Sequence, residues 1–325
     1  MRLDEIPGSL ILIGAGIMVI SGAVTSYANI LMKLDAVQLR DEASPAFILR
    51  RPTVVMAVSL YVIGGLADLI ALGLVPLSLR ACASVLTIPF NALFARSKLG
   101  EAMTPNQILG SAVTVFSCLI AMLFAAHQAE AEMNFNKNVI DQLFSRKVAL
   151  FALWTVPVHA VSVGIVYKAV PRVGSHAGPI FPSLSRKLTV LAATAMATSY
   201  QCGWTNLFIK SIAVLVQERG EGFYAFLCIL LVATAVSGLV QMMLMSSMMR
   251  LFESVVVIPP YQILITLWLV VFSSVVFGDK PNNPIGFALS LLFSFFGIVL
   301  VAFSQAPPEP SSQDREPLVM MTERI

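Results

Sequence analysis

Charge is what this sequence has least of. Asp, Glu, Lys and Arg make up 12% of the 325 residues while 57% are hydrophobic; a soluble domain carries about 25% charged residues. So few polar side chains cannot cover a water-facing surface, which excludes a soluble enzyme. No stretch of ordinary composition is long enough for an ectodomain, so a single-pass receptor is excluded as well. A Gly-rich phosphate loop ending in Lys and Ser or Thr is absent, and the segments between apolar runs are too short for a nucleotide-hydrolysing head. The net charge is only +3 and the basic residues stand singly or in pairs, so nucleic acid is not expected as a partner. Cys82, Cys118, Cys202 and Cys228 all lie in apolar stretches without disulfide or metal-ligand spacing, and read as structural thiols. No cofactor is expected.

What the chain has in abundance is apolar run, with a mean hydropathy of +0.83. A bilayer core of roughly 30 Å needs about 20 apolar residues in a helix. Candidate spans are 9–32, 54–76, 78–97, 105–126, 148–170, 188–215, 223–249, 254–277 and 284–304. The expected fold is therefore all-α, a polytopic membrane bundle of about nine spans, the third interrupted by Arg80 and Pro89. The N-terminus has some look of a signal peptide, but Asp4 and Glu5 make a poor leader and the repeat described below reuses the segment, so a retained span is expected. Residues 306–325, rich in proline and polar side chains, read as a disordered tail. With nine spans, one face receives thirteen Lys and Arg and the other seven, Lys210 lying within a span. That places the C-terminus in the cytosol and the N-terminus outside or in a lumen.

The spans contain an internal repeat. Tyr27-Ala28-Asn29 followed by three apolar residues and Lys33 recurs as Trp204-Thr205-Asn206, three apolar residues and Lys210, 177 positions on. Glu101 after span 3 and Asp279 after span 8 agree, at an offset of 178. Residues 1–147 (spans 1–4 and the following loop) and 188–305 (spans 6–9) thus read as two copies, joined by span 5 and its loop over 148–187. One intervening span inverts the second copy relative to the first. Inverted repeats suit secondary transport, in which a substrate sits between halves that rock.

Polar groups within spans are costly and point to function. Asp68, the only acid well inside a span, reads either as an oxygen ligand or proton carrier, or as the ion-pair partner of a basic residue such as Arg80 or Lys210. Asn29 and Asn206 offer amide groups to a cargo, facing each other across the cleft, or serve as interhelical glue. Lys33 and Lys210 read as interface lysines or as contacts for an anionic group. Pro259 and Pro260, next to Tyr261, remove two backbone donors and free carbonyls that can line a cavity, or simply kink the helix. His159 reads as a satisfied packing residue.

The span-8 stretch RLFESVVVIPPYQILITLWLVVFSSVVFGD and the span-3 stretch PLSLRACASVLTIPFNALFARSKLGE, with Phe90-Asn91-Ala92 and Gly100-Glu101 in place, resemble the NIPA family of magnesium transporters, within the drug/metabolite transporter superfamily. Pro171-Arg172 and Lys210 also sit where that family has them. Where the family has Gly-Glu-x-x-Asn in span 2, this chain reads Gly64-Gly65-Leu66-Ala67-Asp68, so the acid stands one turn on, on the same helix face. The resemblance implies about nine helices in two related halves and Mg²⁺ uptake at the plasma membrane or endosomes. Mg²⁺ would then be cargo, held partly hydrated by Asp68 with Asn29, Asn206 and the carbonyls around Pro260 and Tyr261. Two other functions stay open: transport of a small organic solute, and a non-transporting membrane scaffold. Expected partners are the lipid bilayer and Mg²⁺ or a small solute; a homodimer is left open.

Overall fold

The computed structural model describes residues 8–41, 51–75, 77–101, 103–124, 145–169, 183–218, 223–277 and 281–303, and these are almost wholly helical. The helices are α1 (Gly8–Asp41), α2 (Pro52–Leu72), α3 (Leu77–Ala83), α4 (Thr87–Phe94), α5 (Pro105–Phe124), α6 (Arg146–Ala169), α7 (Leu184–Glu218), α8 (Phe223–Leu251), α9 (Ser254–Phe272) and α10 (Pro284–Phe303). A helical segment lies on each of the nine expected stretches, in the same chain order. Six of the described helical stretches are long and apolar enough to cross a membrane: Ile13–Asp35, Pro52–Leu72, Arg146–Ala169, Tyr224–Leu251, Ser254–Phe277 and Pro284–Val301. They mark the chain as a multi-pass membrane protein. The expected tail 306–325, the N-terminal residues 1–7 and Asp279 lie outside the described residues.

Span 3 is the broken element, although not where its proline suggested. A 3-10 turn at Ser84–Leu86 separates α3 from α4, and a π turn follows at Ala95–Leu99. Pro89 sits in the first turn of α4, where a missing N–H costs little. Gly100 ends the π turn at φ 67, a left-handed conformation that glycine adopts without a Cβ penalty. It turns the chain so that Glu101 faces the start of α9.

Burial runs opposite to that of a water-soluble domain at the rim. Leu153, Trp154 and Tyr167 on α6, and Tyr224 and Met243 on α8, are large apolar or aromatic side chains left exposed, as a lipid-facing surface requires. The interior is formed by α7 and α9, which pack on each other and carry Tyr200, Leu207, Ile258, Ile265, Leu269 and Phe272 into one core. The hydroxyls of α7 are spent on its own backbone: Thr194, Thr198 and Ser211 each donate to a carbonyl four residues back, so a polar helix can be buried.

Small residues set the close approaches. Gly64 lies against Thr25 and Ser21 of α1, and Ser21 donates to the Gly64 carbonyl at 3.1 Å. Helices α5 and α10 meet at Gly110 and Gly297, with Ala121 against Phe287 further along and the Asn282 amide on the Phe124 carbonyl at 3.0 Å. Rising residue numbers on α5 meet falling numbers on α10, so the two run antiparallel. Helix α1 is likewise antiparallel to α2, since Gly14 meets Val75 while Asp35 meets Arg51 at 3.5 Å.

Candidate functional site

Asp68 is paired with a basic residue, one of the two readings its position left open. It is buried, and its Oδ2 accepts a hydrogen bond from Arg80 Nη2 at 2.6 Å, with Arg80 buried too. The partner is available because the chain bends after α2: α3 starts at Leu77 and brings Arg80 back beside the α2 turn it has just left. Of the two basic candidates, Arg80 makes the pair. Lys210 docks one turn further along α2 instead.

A polar cluster surrounds this pair. From α7, Asn206 donates to the Cys202 carbonyl at 2.9 Å and lies 3.3 Å from the Cys202 sulfur. From α9, the Tyr261 hydroxyl is within hydrogen-bonding reach of the Cys202 thiol, and Gln241 of α8 reaches that hydroxyl at 3.5 Å. Arg80 is close enough to feel both Cys202 and Tyr261. From α2, Tyr61 donates to Asn29 Oδ1 of α1 and lies near Cys202 and Tyr261. Six helices thus send polar side chains to one buried centre. Among the described residues, several of its atoms have no hydrogen-bond partner: Asp68 Oδ1, Arg80 Nε and Nη1, and Asn206 Oδ1.

The remaining sequence candidates divide. Asn29 bonds to Tyr61 and Asn206 to Cys202, instead of to each other. Tyr261 belongs to the cluster. Pro260 is half-buried beside it, and with Pro259 it lies in the second turn of α9, leaving the Val255 and Val256 carbonyls without an amide four residues on. His159 stacks on Tyr200 at 4.7 Å with Nδ1 unpartnered, so it packs but is not satisfied. Among the described residues no group of three His, Cys, Asp or Glu could hold a metal ion. Sequence reasoning missed Cys202, Tyr61 and Gln241. Tyr61 had a signal, since it stands seven residues before Asp68 and so on the same face of α2.

Both lysines tie helices to one another. Lys33 donates to the Met249 and Phe252 carbonyls at 2.7 Å each, at the C-terminal end of α8. Lys210, fully buried, donates to the Leu72 and Val75 carbonyls at 2.9 and 3.2 Å, at the C-terminal end of α2. Both ties satisfy terminal carbonyls that a helix cannot satisfy itself. The two ties share the spacing of the expected repeat: Lys33 and Lys210 stand 177 apart, and so do Leu72 and Met249, and Val75 and Phe252. Lys33 of α1 thus caps α8, and Lys210 of α7 caps α2.

At the Lys33 end, Glu101 accepts the Ser254 and Val255 amides at 3.2 Å each and caps α9. Burial raises the pKa of this carboxyl above its ordinary value, outweighing the opposing pull of Lys33 and the two amides. The folded protein therefore binds this proton more readily than the unfolded chain does. The resulting stabilisation is present below the ordinary carboxylate range and is lost as pH rises through the raised value. Thermal unfolding scanned upward from about pH 4 should show that decline, and Glu101→Gln should flatten it. An unchanged slope in the variant would assign the decline to other groups.

No family model matches the chain, and neither the curated proteins nor the solved structures offer a match.

Proposed function

We propose that this multi-pass membrane protein is a secondary transporter working by alternating access, and that the cluster around Asp68 and Arg80 is its cargo site. The reading takes nine spans in two inverted copies, α1–α5 and α7–α10, joined by α6, with the C-terminus in the cytosol. The reciprocal lysine ties carry it. Gly14, near the start of α1, lies level with Val75, and Lys33 lies level with Phe252, about 28 Å further along α1. Lys210, late in α7, is at the Val75 level. Helices α1 and α7, equivalent by sequence, therefore run in opposite directions, and α5 and α10 do the same. Opposed directions of equivalent helices are what an inverted duplication requires. The two lysine ties then sit at opposite ends of the bundle with the polar cluster among the same helices, an arrangement suited to opening one end at a time.

For the cargo, a small polar organic solute fits better than Mg²⁺. The one carboxylate in the cluster is held by a guanidinium, and Lys210 adds a second positive charge one turn away. A divalent cation would meet net positive charge and only that one carboxylate. Reconstituted vesicles loaded with a fluorescent Mg²⁺ indicator should show no influx above protein-free vesicles. Influx that disappears in Asp68→Asn would reinstate Mg²⁺ as cargo, as the NIPA resemblance implies.

A further inference from the structure

The unpartnered atoms of the buried cluster come in both signs, and this deepens the transport reading, on which it rests. Asp68 and Arg80 are 6% and 8% exposed, yet their mutual hydrogen bond uses only Asp68 Oδ2 and Arg80 Nη2. Left over are donors on Arg80 Nε and Nη1 and acceptors on Asp68 Oδ1 and Asn206 Oδ1, the asparagine itself 6% exposed. Buried charged groups without partners are among the most costly features a protein can carry. The second half shows that the fold does not need them. At the 177 offset, Met245 stands for Asp68 and Val257 for Arg80, both buried and apolar. A pair kept for packing alone would have served as well as methionine and valine do there.

We infer that this site takes a small zwitterion, with its anionic group on Arg80 Nε and Nη1 and its ammonium on Asp68 Oδ1 and Asn206 Oδ1. A ligand with one charge satisfies one side and leaves the other buried and repelled: an anion faces the Asp68 carboxylate, a cation faces the Arg80 guanidinium. A ligand carrying both charges satisfies both sets and adds no net charge to the site. The Cys202 thiol, 3.3 Å from the Asn206 amide, and the Tyr261 hydroxyl, reached by Gln241, add polar groups to the same cluster.

The test uses the purified full-length protein and three probe mixtures: the common L-α-amino acids, their N-acetyl derivatives and their methyl esters. Thermal stabilisation and equilibrium dialysis should give binding of the zwitterions at least about tenfold tighter than either single-charge set. Asn206→Ala, which leaves the ion pair in place, should weaken zwitterion and ester binding about tenfold and leave the N-acetyl derivatives unchanged. Asp68→Asn should erase the preference for zwitterions over N-acetyl derivatives. Equal binding of either single-charge set by the wild type, no binding of the zwitterions, or an Asn206→Ala variant that weakens all three sets alike would each overturn the assignment. The sidedness of Cys202 labelling, described below, reads transport without a cargo, so a wrong ligand class and a wrong transport reading fail separately.

Discussion

Replacing Arg80 with glutamine should cost about 3–5 kcal/mol, the usual penalty for leaving one member of a buried ion pair uncompensated. Against a total stability of about 5–15 kcal/mol that is a loss large enough to deplete folded protein. The penalty comes from Asp68, not from lost packing. Its carboxyl group, already short of a partner on Oδ1 among the described residues, would be left buried with no guanidinium beside it. The double variant Asp68→Asn with Arg80→Gln should therefore recover most of the loss, and Asp68→Met with Arg80→Val should be as stable as the wild type or more so. That last pair introduces the residues found 177 positions on, Met245 and Val257, both buried. Thermal unfolding in detergent measures all of these. A double variant no more stable than Arg80→Gln would mean that the pair is not the source of the penalty.

These stability changes and the proposed cargo site pull in opposite directions, which is the pattern of a functional pair. The apolar double variant should be the better-folded protein and the one that no longer binds zwitterions. A scaffold would show no such trade.

Much of the fold was legible in the sequence because apolar run length is set by bilayer thickness and needs no tertiary information. Each expected stretch carries a helix. Helix α7 extends at both ends beyond its expected 188–215, to Leu184–Glu218. It is not among the six apolar stretches because its interior hydroxyls and amides lower its hydropathy while bonding locally. The Lys33–Lys210 repeat was readable from spacing, but its meaning was not. A lysine near a helix end usually reaches for water, and only the placement of α2 and α8 shows that carbonyl termini are nearer. The Asp68–Arg80 pair was one of the options the sequence left open, across a bend of twelve residues. The part played by Cys202 and Gln241 was hidden, since they lie far from Asp68 in the chain and reach the cluster only after α7 and α8 have packed.

Labelling of Cys202 from each side of the membrane tests the central claim most directly. Cys202 is buried in the cluster, Cys228 is exposed, and a Cys202-only protein is made with Cys82→Ala, Cys118→Ala and Cys228→Ala. Lys33→Met and Lys210→Met each remove one tie while keeping a long side chain of similar shape. In vesicles of one orientation, a charged methanethiosulfonate reagent should reach Cys202 from one side in Lys33→Met and from the other in Lys210→Met. The protein with both ties intact should react slowly from either. Labelling of both variants from the same side, or no change in either, would contradict two opposed halves gating one central site.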